Sequence, residues 1–182
     1  PNRHHTSAAA AILIAVLFSG FSALSQAKSP QYPLYERVRI LRHQSIMMRD
    51  NTVLYGDVYL PEAPGRYPTL VIRTCYGVQR EGINLHQDMF KFAQHGYAVV
   101  MVDTRGRYES EGRWEPFRDE AKDGYDVIEW AARQPFSDGR VGTQGGSYLG
   151  HNQWRAMSER PPHLKAAFPM VASTNIYANW IN

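Results

Sequence analysis

Cysteine is nearly absent from this sequence, and long runs of one charge are absent as well. The single thiol, Cys75, excludes an internal disulfide framework and any zinc site built from several cysteines. Lys and Arg number 20 against 17 Asp and Glu, a net charge of +3. Without a basic run, nucleic acid is not an expected partner. The 182 residues, 43% apolar and 20% charged, have instead the composition of a globular protein.

The first 27 residues have the order of a secretory signal peptide. Arg3 and two histidines precede an uncharged apolar run from Ala8 to Leu24, and Ser25-Gln26-Ala27 is a cleavage site of small residues. We expect cleavage after Ala27, which leaves 182 − 27 = 155 residues in the periplasm or outside the cell. The apolar run, at about 17 residues, is at the lower limit for a membrane span. A retained N-terminal anchor is therefore the alternative, and no stable anchor is expected after cleavage.

From Thr52 onward, strand patterns alternate with helix patterns. Apolar and β-branched runs predict strands, and apolar residues at helical spacing predict helices. The predicted strands are 36–41, 52–60, 69–72, 97–102, 140–143 and 164–171, and the predicted helices are 86–95, 118–133 and 148–159. Arg49-Asp50-Asn51 are hairpin-turn residues between the first two strands. This order predicts an α/β fold, in which helices cover both faces of a mostly parallel sheet whose strands from Thr52 onward run parallel.

Ser147 lies at a turn between a short strand and a helix, among glycines. A nucleophilic serine needs a tight turn that lifts its hydroxyl clear of the sheet, and small neighbours that leave the approach open. The helix that begins at Tyr148 directs its N-terminal amides at the reacting oxygen. The pattern departs from G-x-S-x-G, because Leu149 stands two positions after the serine and Gly150 follows it. A simple connecting turn or a phosphate cradle is the alternative, but the lysine of a P-loop and the spacing of a dinucleotide loop are absent.

Many short segments of the chain, in one order, match a known family. They are Met48-Arg49-Asp50, Arg73-Thr74-Cys75-Tyr76-Gly77, Gly96-Tyr97-Ala98, Asp103-Thr104-Arg105-Gly106, Ser110-Glu111-Gly112, Asp123-Gly124-Tyr125-Asp126, Glu129-Trp130, Gln134-Pro135, Asp138-Gly139-Arg140-Val141-Gly142, Gly146-Ser147-Tyr148-Leu149-Gly150 and Pro162-His163-Leu164-Lys165-Ala166. From Ile46 to about Trp180 the sequence resembles the cocaine esterase and Xaa-Pro dipeptidyl-peptidase family of serine hydrolases. That family also includes glutaryl acylases and α-amino-acid ester hydrolases. The resemblance implies an α/β-hydrolase fold with Ser147 as the nucleophile.

The resemblance also implies an oxyanion hole made of two donors, the backbone N–H of Tyr148 and the hydroxyl of Tyr76. Because Tyr76 follows the predicted strand 69–72, we expect it at the same sheet edge as Ser147. A phenol can donate to a tetrahedral oxygen, and one such donor contributes roughly 2.7–4 kcal/mol to catalysis. A partly buried loop tyrosine is the alternative for Tyr76.

By the same resemblance, the segment after the last strand begins the family's helical cap. There Trp180 and Tyr177 are expected to contribute to substrate binding, Trp180 by lining the acyl pocket; ordinary core packing is the alternative. In α-amino-acid ester hydrolases an acid precedes this tryptophan and binds the substrate ammonium. Here that position is Asn179, which argues against that specificity.

Three other residues near the expected site are interpreted as structural. Cys75 stands where the family usually has proline, and we expect a buried free thiol. Asp103 and Arg105 are expected to form a charge pair that stiffens the loop after their strand. Asp103 is not the expected catalytic acid, because in this fold the acid follows the nucleophile in the chain.

A serine hydrolase also needs a general base and an acid that orients it. His151 lies one helical turn beyond Ser147 on the same helix, which is a poor position for a base. His95 and His163 each precede a strand, so we expect them at the opposite edge of the sheet. His86 is on the correct side but is not favoured.

The resemblance places the family's aspartate and histidine downstream of this chain. We therefore expect residues 28–182 to be the N-terminal part of an α/β-hydrolase domain, truncated after its nucleophile half and without the cap and the C-terminal β-sandwich. The expected protein is an exported serine hydrolase that cleaves an ester, amide or Xaa-Pro peptide bond of a small molecule or peptide, with no metal or organic cofactor. The fragment alone should be nearly inactive. The alternative is a non-catalytic short chain whose exposed sheet edge binds a partner.

Overall fold

The computed structural model describes residues 34–79, 85–175 and 178. Within these residues, six strands and three helices follow in the order β1 (Val38–Met47), β2 (Val53–Pro61), β3 (Tyr67–Thr74), α1 (Leu85–Gln94), β4 (Ala98–Asp103), α2 (Glu120–Ala132), β5 (Ser137–Gly146), α3 (Tyr148–Ser158) and β6 (Leu164–Met170). The six strands form one sheet in the order β1-β2-β4-β3-β5-β6. No helix in the described residues is long and apolar enough to cross a membrane.

The four strands from β3 to β6 run parallel, as predicted. β2 runs antiparallel to β1, as the predicted hairpin requires, but it also runs antiparallel to β4, so the prediction of parallel strands from Thr52 onward is wrong for β2. The cause is the short connection between β2 and β3, residues 62–66. A chain needs roughly a dozen residues to cross back and re-enter a sheet in the parallel direction. β2 therefore runs in the direction opposite to β3, and so opposite to β4, which is parallel to β3.

Two strands are longer than their sequence patterns predicted. β1 continues past the predicted end at Leu41 because a bulge between Leu41 and Gln44 absorbs the change of pattern, with φ of His43 at 52°. β5 includes the glycine-rich segment after Thr143, which has few residues typical of strands. Pairing with β3 ends at Thr143, and parallel pairing with β6 alone holds the segment after it extended. As a result, β5 reaches the residue immediately before Ser147.

Helices cover both faces of the sheet, as predicted, and the alternating side chains of β4 fill both cores. Ala98, Val100 and Val102 belong to the core under α2 and α3, while Val99 and Met101 belong to the core under α1; all five are 0% exposed. On the α1 face the helix contributes Met89 and Ala93, one helical turn apart. The parallel strands therefore form a buried centre, and polar groups collect beyond their ends.

Candidate active site

Ser147 is the one residue between the end of β5 and the start of α3. Its backbone has φ 57° and ψ −125°, a conformation that costs a residue with a side chain about 1–3 kcal/mol. The N–H of Ser147 donates to the carbonyl of Met170 at 3.0 Å, and its carbonyl accepts from the N–H groups of Gly150 and His151 at 2.9 and 3.1 Å. The backbone is thus held on both sides, while the serine itself is exposed.

Two of the glycines around Ser147, Gly145 and Gly150, are required by close contacts, and the contacts of Gly150 explain the departure from G-x-S-x-G. A Cβ on Gly145, where φ is 145°, would lie 2.6 Å from the Cβ of Leu149. A Cβ on Gly150 would lie 2.6 Å from the Cβ of Ala172 and 2.8 Å from the carbonyl of Met170. Leu149 itself is buried in the core under α1. The backbone position that has no room for a side chain is therefore Gly150, three residues after the serine. The second glycine stands there and not at position 149.

The amino end of α3 offers donors to an anion beside Ser147. Tyr148 is the first residue of this helix, and the first four N–H groups of an α-helix have no partner at i−4 within it. The Ser147 side chain makes no capping hydrogen bond to them. The partial positive charge of a helix start favours negative charge at this point. The hydroxyl of Ser147 and the N–H of Tyr148 therefore meet at a position suited to an oxyanion.

Tyr76 lies at the same edge of the sheet as Ser147, as predicted. β3 and β5 are parallel neighbours in which Val71 is opposite Thr143, so Tyr76 follows that pair by five residues and Ser147 by four. The N–H of Tyr76 donates to Oγ1 of Thr74 at 3.0 Å, and its carbonyl accepts from the hydroxyl of Tyr108 at 2.7 Å. The ring is half-buried against the core under α1. The loop backbone around this tyrosine is therefore fixed by side chains on two sides.

The side chain of Tyr148 is fully engaged inside the protein. Its hydroxyl donates to Oε1 of Glu120 at 2.7 Å, and it accepts from Nε1 of Trp114 at 3.3 Å and from the N–H of Phe117 at 3.4 Å. Burial, followed by the negative charge of Glu120, raises the pKa of this phenol. Sequence reasoning missed Glu120: an acid in the first turn of a helix is ordinary, and no local pattern indicates what it contacts.

The expected pair of Asp103 and Arg105 does not form. Arg105 donates to both oxygens of Asp123, at 2.6 and 3.0 Å, and to Asp50 at 2.8 Å. Asp103 instead accepts from the N–H of Val78 at 2.9 Å. Beyond the end of β4 the chain turns, so the two side chains no longer share a face. Arg105 does stiffen its loop, but it does so by joining that loop to α2 and to the β1–β2 hairpin.

Two titratable groups near the Tyr76 loop, Asp103 and Cys75, have raised pKa values. Asp103 is 5% exposed, and burial raises its pKa to about 7, although the Val78 N–H and Arg107 oppose the shift. Cys75 is buried and forms no disulfide, which confirms the prediction of a buried free thiol, and this burial raises its pKa to about 11. The Cys75 sulfur is therefore protonated and unreactive at neutral pH.

A cavity of about 330 Å³ opens on the β2 side of the Tyr76 loop. Its lining includes His43, Tyr55, Asp57, Asp103, Tyr108 and Glu109, and none of Ser147, Tyr148 and Tyr76. His43 was not considered in the sequence analysis; its Nδ1 lies 2.7 Å from Oε2 of Glu109, and its ring stacks on Tyr55. This cavity is thus separate from the serine site.

The histidines whose side chains are described contact other groups. Nδ1 of His163 lies 2.7 Å from Oε2 of Glu129 at the amino edge of the sheet, and Nδ1 of His95 lies 2.7 Å from the carbonyl of Lys91. Both positions agree with the prediction that they lie opposite Ser147. His151 is buried, with its ring edge-on to Phe117 at 5.5 Å.

Several predicted features fall outside the described part of the chain. These are the signal peptide 1–27, the substrate-binding residues Tyr177 and Trp180 with Asn179, and the side chain of His86.

The sheet order, with three helices on two faces and a strained serine after the fifth strand, is that of an α/β hydrolase, as the sequence predicted. Two hydrolases are among the solved structures that share it. A CocE/NonD family hydrolase from Staphylococcus aureus is 34% identical with a TM-score of 0.65, and the match covers 71% of this chain and 27% of that one. An α-amino-acid ester hydrolase is 28% identical with a TM-score of 0.64, over 80% of this chain and 27% of that one.

Sequence comparison gives the family. The model of the X-Pro dipeptidyl-peptidase (S15) family matches residues 50–182, and the chain belongs to this family. The cocaine esterase of Rhodococcus sp. (strain MB1 Bresler) is 38% identical over 142 residues, which are 74% of this chain and 24% of that protein. The chain therefore spans about a quarter of the length of this curated relative.

Proposed function

We propose that the full-length protein is a serine hydrolase that cleaves an ester or amide bond through an acyl-enzyme on Ser147. The observation that carries the proposal is the turn at Ser147: an exposed side chain on a strained backbone, free of any capping role, beside the first N–H groups of α3. Strained backbone of this kind is concentrated at functional sites. Membership of the S15 family and the similarity to an esterase support the same chemistry.

In the proposed reaction, Oγ of Ser147 attacks the substrate carbonyl carbon while a histidine base accepts the hydroxyl proton. The carbonyl oxygen becomes negative and accepts hydrogen bonds from the N–H of Tyr148 and the hydroxyl of Tyr76. Collapse of this intermediate breaks the bond to the leaving group, which takes the proton from the base and leaves an acyl ester on Ser147. Water then attacks the ester, gives a proton to the base, and releases the acid as Ser147 regains its hydrogen. We assign the base and its aspartate to parts of the protein beyond this chain.

The proposed substrate is an ester or amide of small size, with Trp180 and Tyr177 beside its acyl group. The family model is described as a dipeptidyl-peptidase, whereas the relative with 38% identity is an esterase. A panel of p-nitrophenyl esters and Xaa-Pro p-nitroanilides, assayed with the full-length protein, separates the two. For each substrate, kcat/KM is divided by the rate constant of uncatalysed hydrolysis, and the bond with the larger quotient is the one that the site is built to cleave.

We further propose that the protein is exported and loses residues 1–27. The basis is the order of charged, apolar and small residues in this segment. N-terminal sequencing of protein recovered from the periplasm or medium should begin at Lys28. Recovery of the uncleaved chain with the membrane fraction would instead support the retained anchor.

The nucleophile is tested by covalent labelling with a fluorophosphonate, followed by peptide mapping. We expect one label, on Ser147, and loss of both labelling and ester turnover in Ser147→Ala. Ser158→Ala is the matched control, because Ser158 is also exposed and lies at the other end of the same helix. Undiminished turnover by Ser147→Ala would contradict the proposal.

A non-catalytic binding protein is the second candidate, and one observation favours it. β6 is an edge strand of the described sheet, and 63% of its Phe168 is exposed. A protein with neither labelling nor turnover, and with a partner bound along β6, would support this alternative.

A further inference from the structure

Three buried side chains from three different elements, one of them on the residue after Ser147, are joined by hydrogen bonds. They are Arg73 in β3, Glu120 at the start of α2 and Tyr148 at the start of α3, and none is more than 8% exposed. The two carboxylate oxygens of Glu120 have different partners: Oε1 accepts from the Tyr148 hydroxyl at 2.7 Å, and Oε2 accepts from Nη2 of Arg73 at 2.5 Å. Nη1 of Arg73 also donates to the carbonyl of Glu120 at 2.8 Å. One carboxylate therefore joins the nucleophile helix to the strand that leads to Tyr76.

The Tyr148 end of this link fixes the start of α3. Its hydroxyl has three hydrogen-bond partners, and its ring stacks on Phe117 with the centroids 4.8 Å apart and the planes at 27°. A ring held at its tip and along its face leaves little freedom to the Cα that carries it. Because the proposed oxyanion donor is the N–H on this same residue, the contact with Glu120 helps to set the direction of that N–H.

The Arg73 end fixes the approach to the second donor. Arg73 precedes Tyr76 by three residues, and its carbonyl accepts from Nδ2 of Asn152 in α3 at 3.1 Å. Its guanidinium is also 3.9 Å from Asp123, one helical turn after Glu120. The end of β3 is thus held to both α2 and α3 immediately before the chain enters the Tyr76 loop.

We propose that Glu120 is a positioning residue for the oxyanion hole, which sets the N–H of Tyr148 through the tyrosine hydroxyl and the Tyr76 loop through Arg73. The proposal rests on the proposed function, because an oxyanion hole is needed only if Ser147 is acylated. It deepens that function by assigning the alignment of both donors to one carboxylate that does not itself contact the substrate. A displacement of catalytic groups by about 1 Å can reduce a rate by about 10²-fold.

A purely structural salt bridge is the competing explanation, and the chain contains a matched control for it. Glu129 lies on the same helix and is 5% exposed, against 4% for Glu120. It too binds a basic side chain, since its Oε2 lies 2.7 Å from Nδ1 of His163. Glu129 sits at the amino edge of the sheet, so its loss should reduce stability without disturbing the oxyanion hole.

The test compares Glu120→Gln, Tyr148→Phe and Glu129→Gln in the full-length protein, with a p-nitrophenyl ester as substrate and phenylboronic acid as inhibitor. The boronate forms a tetrahedral adduct on a nucleophilic serine and so reports on alignment of the oxyanion hole. For Glu120→Gln we expect kcat to fall by about 10–100-fold with KM within about two-fold, and the inhibition constant to rise by a similar factor. Tyr148→Phe, which leaves the Glu120–Arg73 pair intact, should lower kcat by about 10-fold. Glu129→Gln should keep kcat within about two-fold.

Each outcome decides between the hypotheses. If Ser147→Ala is inactive while Glu120→Gln and Tyr148→Phe keep kcat and the boronate constant within about two-fold, the positioning role is wrong and the proposed function stands. If Glu120→Gln and Glu129→Gln lose activity and thermal stability in parallel, Glu120 is only structural. If Glu120→Gln does not fold, Tyr148→Phe alone decides by the same criteria. If Ser147→Ala remains active, both proposals fail together.

Discussion

The two edges of the sheet are built differently. At the amino edge, the helices enter the strands through short connections, residues 95–97, 133–136 and 159–163. At the carboxyl edge, β4 is followed by the long connection 104–119, and β5 by the single residue Ser147. In the described part of the chain, seven non-glycine residues have positive φ, of which five follow the carboxyl ends of strands and one lies at the amino edge; the five are Asn51, Tyr108, Phe117, Ser147 and Val171.

This difference shows where the fold accommodates strained backbone conformations and buried ionisable groups. The carboxyl edge holds both the strained backbone of Ser147 and the buried acid Asp103, whose pKa is raised. The backbone keeps such a conformation there because it packs against cores on both faces and is fixed by hydrogen bonds such as that from Ser147 to Met170. The amino edge carries ordinary pairs such as His163 with Glu129. Substitutions at the carboxyl edge should therefore change chemistry and pH behaviour, whereas those at the amino edge should change only stability. Four experiments test this contrast.

The largest effect is expected for Tyr76→Phe in the full-length protein. Loss of one oxyanion donor should lower kcat by about 10²–10³-fold, with KM nearly unchanged because the hydrogen bond forms mainly in the transition state. Tyr97→Phe is the control, since Tyr97 is also half-buried but precedes β4 at the amino edge. Both constants are measured on one activated ester. A kcat close to that of the wild type for Tyr76→Phe would remove this tyrosine from the site.

The second effect concerns Asp103 and pH. Because its pKa rises from 3.8 to about 7 on folding, the folded state binds the proton more tightly than the unfolded state. Its contribution to stability is complete below pH 4 and is lost as the pH rises towards 7 and above. Asn mimics the protonated acid and does not titrate. The free energy of unfolding of Asp103→Asn, relative to that of the wild type, should therefore increase by about 2–3 kcal/mol from pH 5 to pH 8. Urea midpoints at the two pH values measure the gain, and parallel pH profiles would contradict it.

The third effect is expected at Gly150. An added Cβ would overlap Ala172 and the carbonyl of Met170, and overpacking costs about 1–3 kcal/mol. Alanine is favoured over glycine in a helix by about 1 kcal/mol, so we expect Gly150→Ala to lose up to about 2 kcal/mol overall. Gly146→Ala is the control, because its Cβ would meet only ordinary contacts at 3.6 Å or more. Equal thermal midpoints for the two variants would show that the structure accommodates a Cβ at position 150 without cost, which would contradict this prediction.

The smallest effect is expected at the amino edge, for His163→Ala. Its pair with Glu129 is partly exposed, with 43% of the histidine side chain accessible, so its loss should cost at most about 1 kcal/mol. The value of kcat should not change. A thermal melt and the same ester assay measure both. A large fall in kcat would mean that the two edges are coupled and that the contrast drawn between them is wrong.

Local patterns in the sequence predicted much of the fold. The apolar run at 97–102, the Pro-bounded helix after Asp119 and the Gly-rich turn at Ser147 each depend on neighbours in the chain, and each is present in the structure. The direction of β2 was missed because it depends on the length of one connection and on which strand lies next to it. The full extent of β5 was missed for a similar reason, since pairing with β6 holds residues that have little strand propensity.

At the candidate site, the sequence predicted where the key residues lie in the fold, but it did not predict which side chains they contact. The edge shared by Ser147 and Tyr76 follows from each residue coming after a parallel strand. The contacts of Arg105 with Asp50 and Asp123, and of Glu120 with Tyr148, join residues between 18 and 55 positions apart. No local spacing encodes such pairs, because they depend on how the loop after β4 turns over the end of the sheet.

The backbone of Ser147 places folding and activity in opposition. At φ 57° and ψ −125°, glycine would be more stable than serine, because it has no Cβ to clash with the backbone. Selection for stability alone would therefore remove the hydroxyl from this turn. Ser147→Gly should unfold at a higher temperature than the wild type while losing the proposed reaction, so the serine is a position where the protein gives up stability in return for its chemistry.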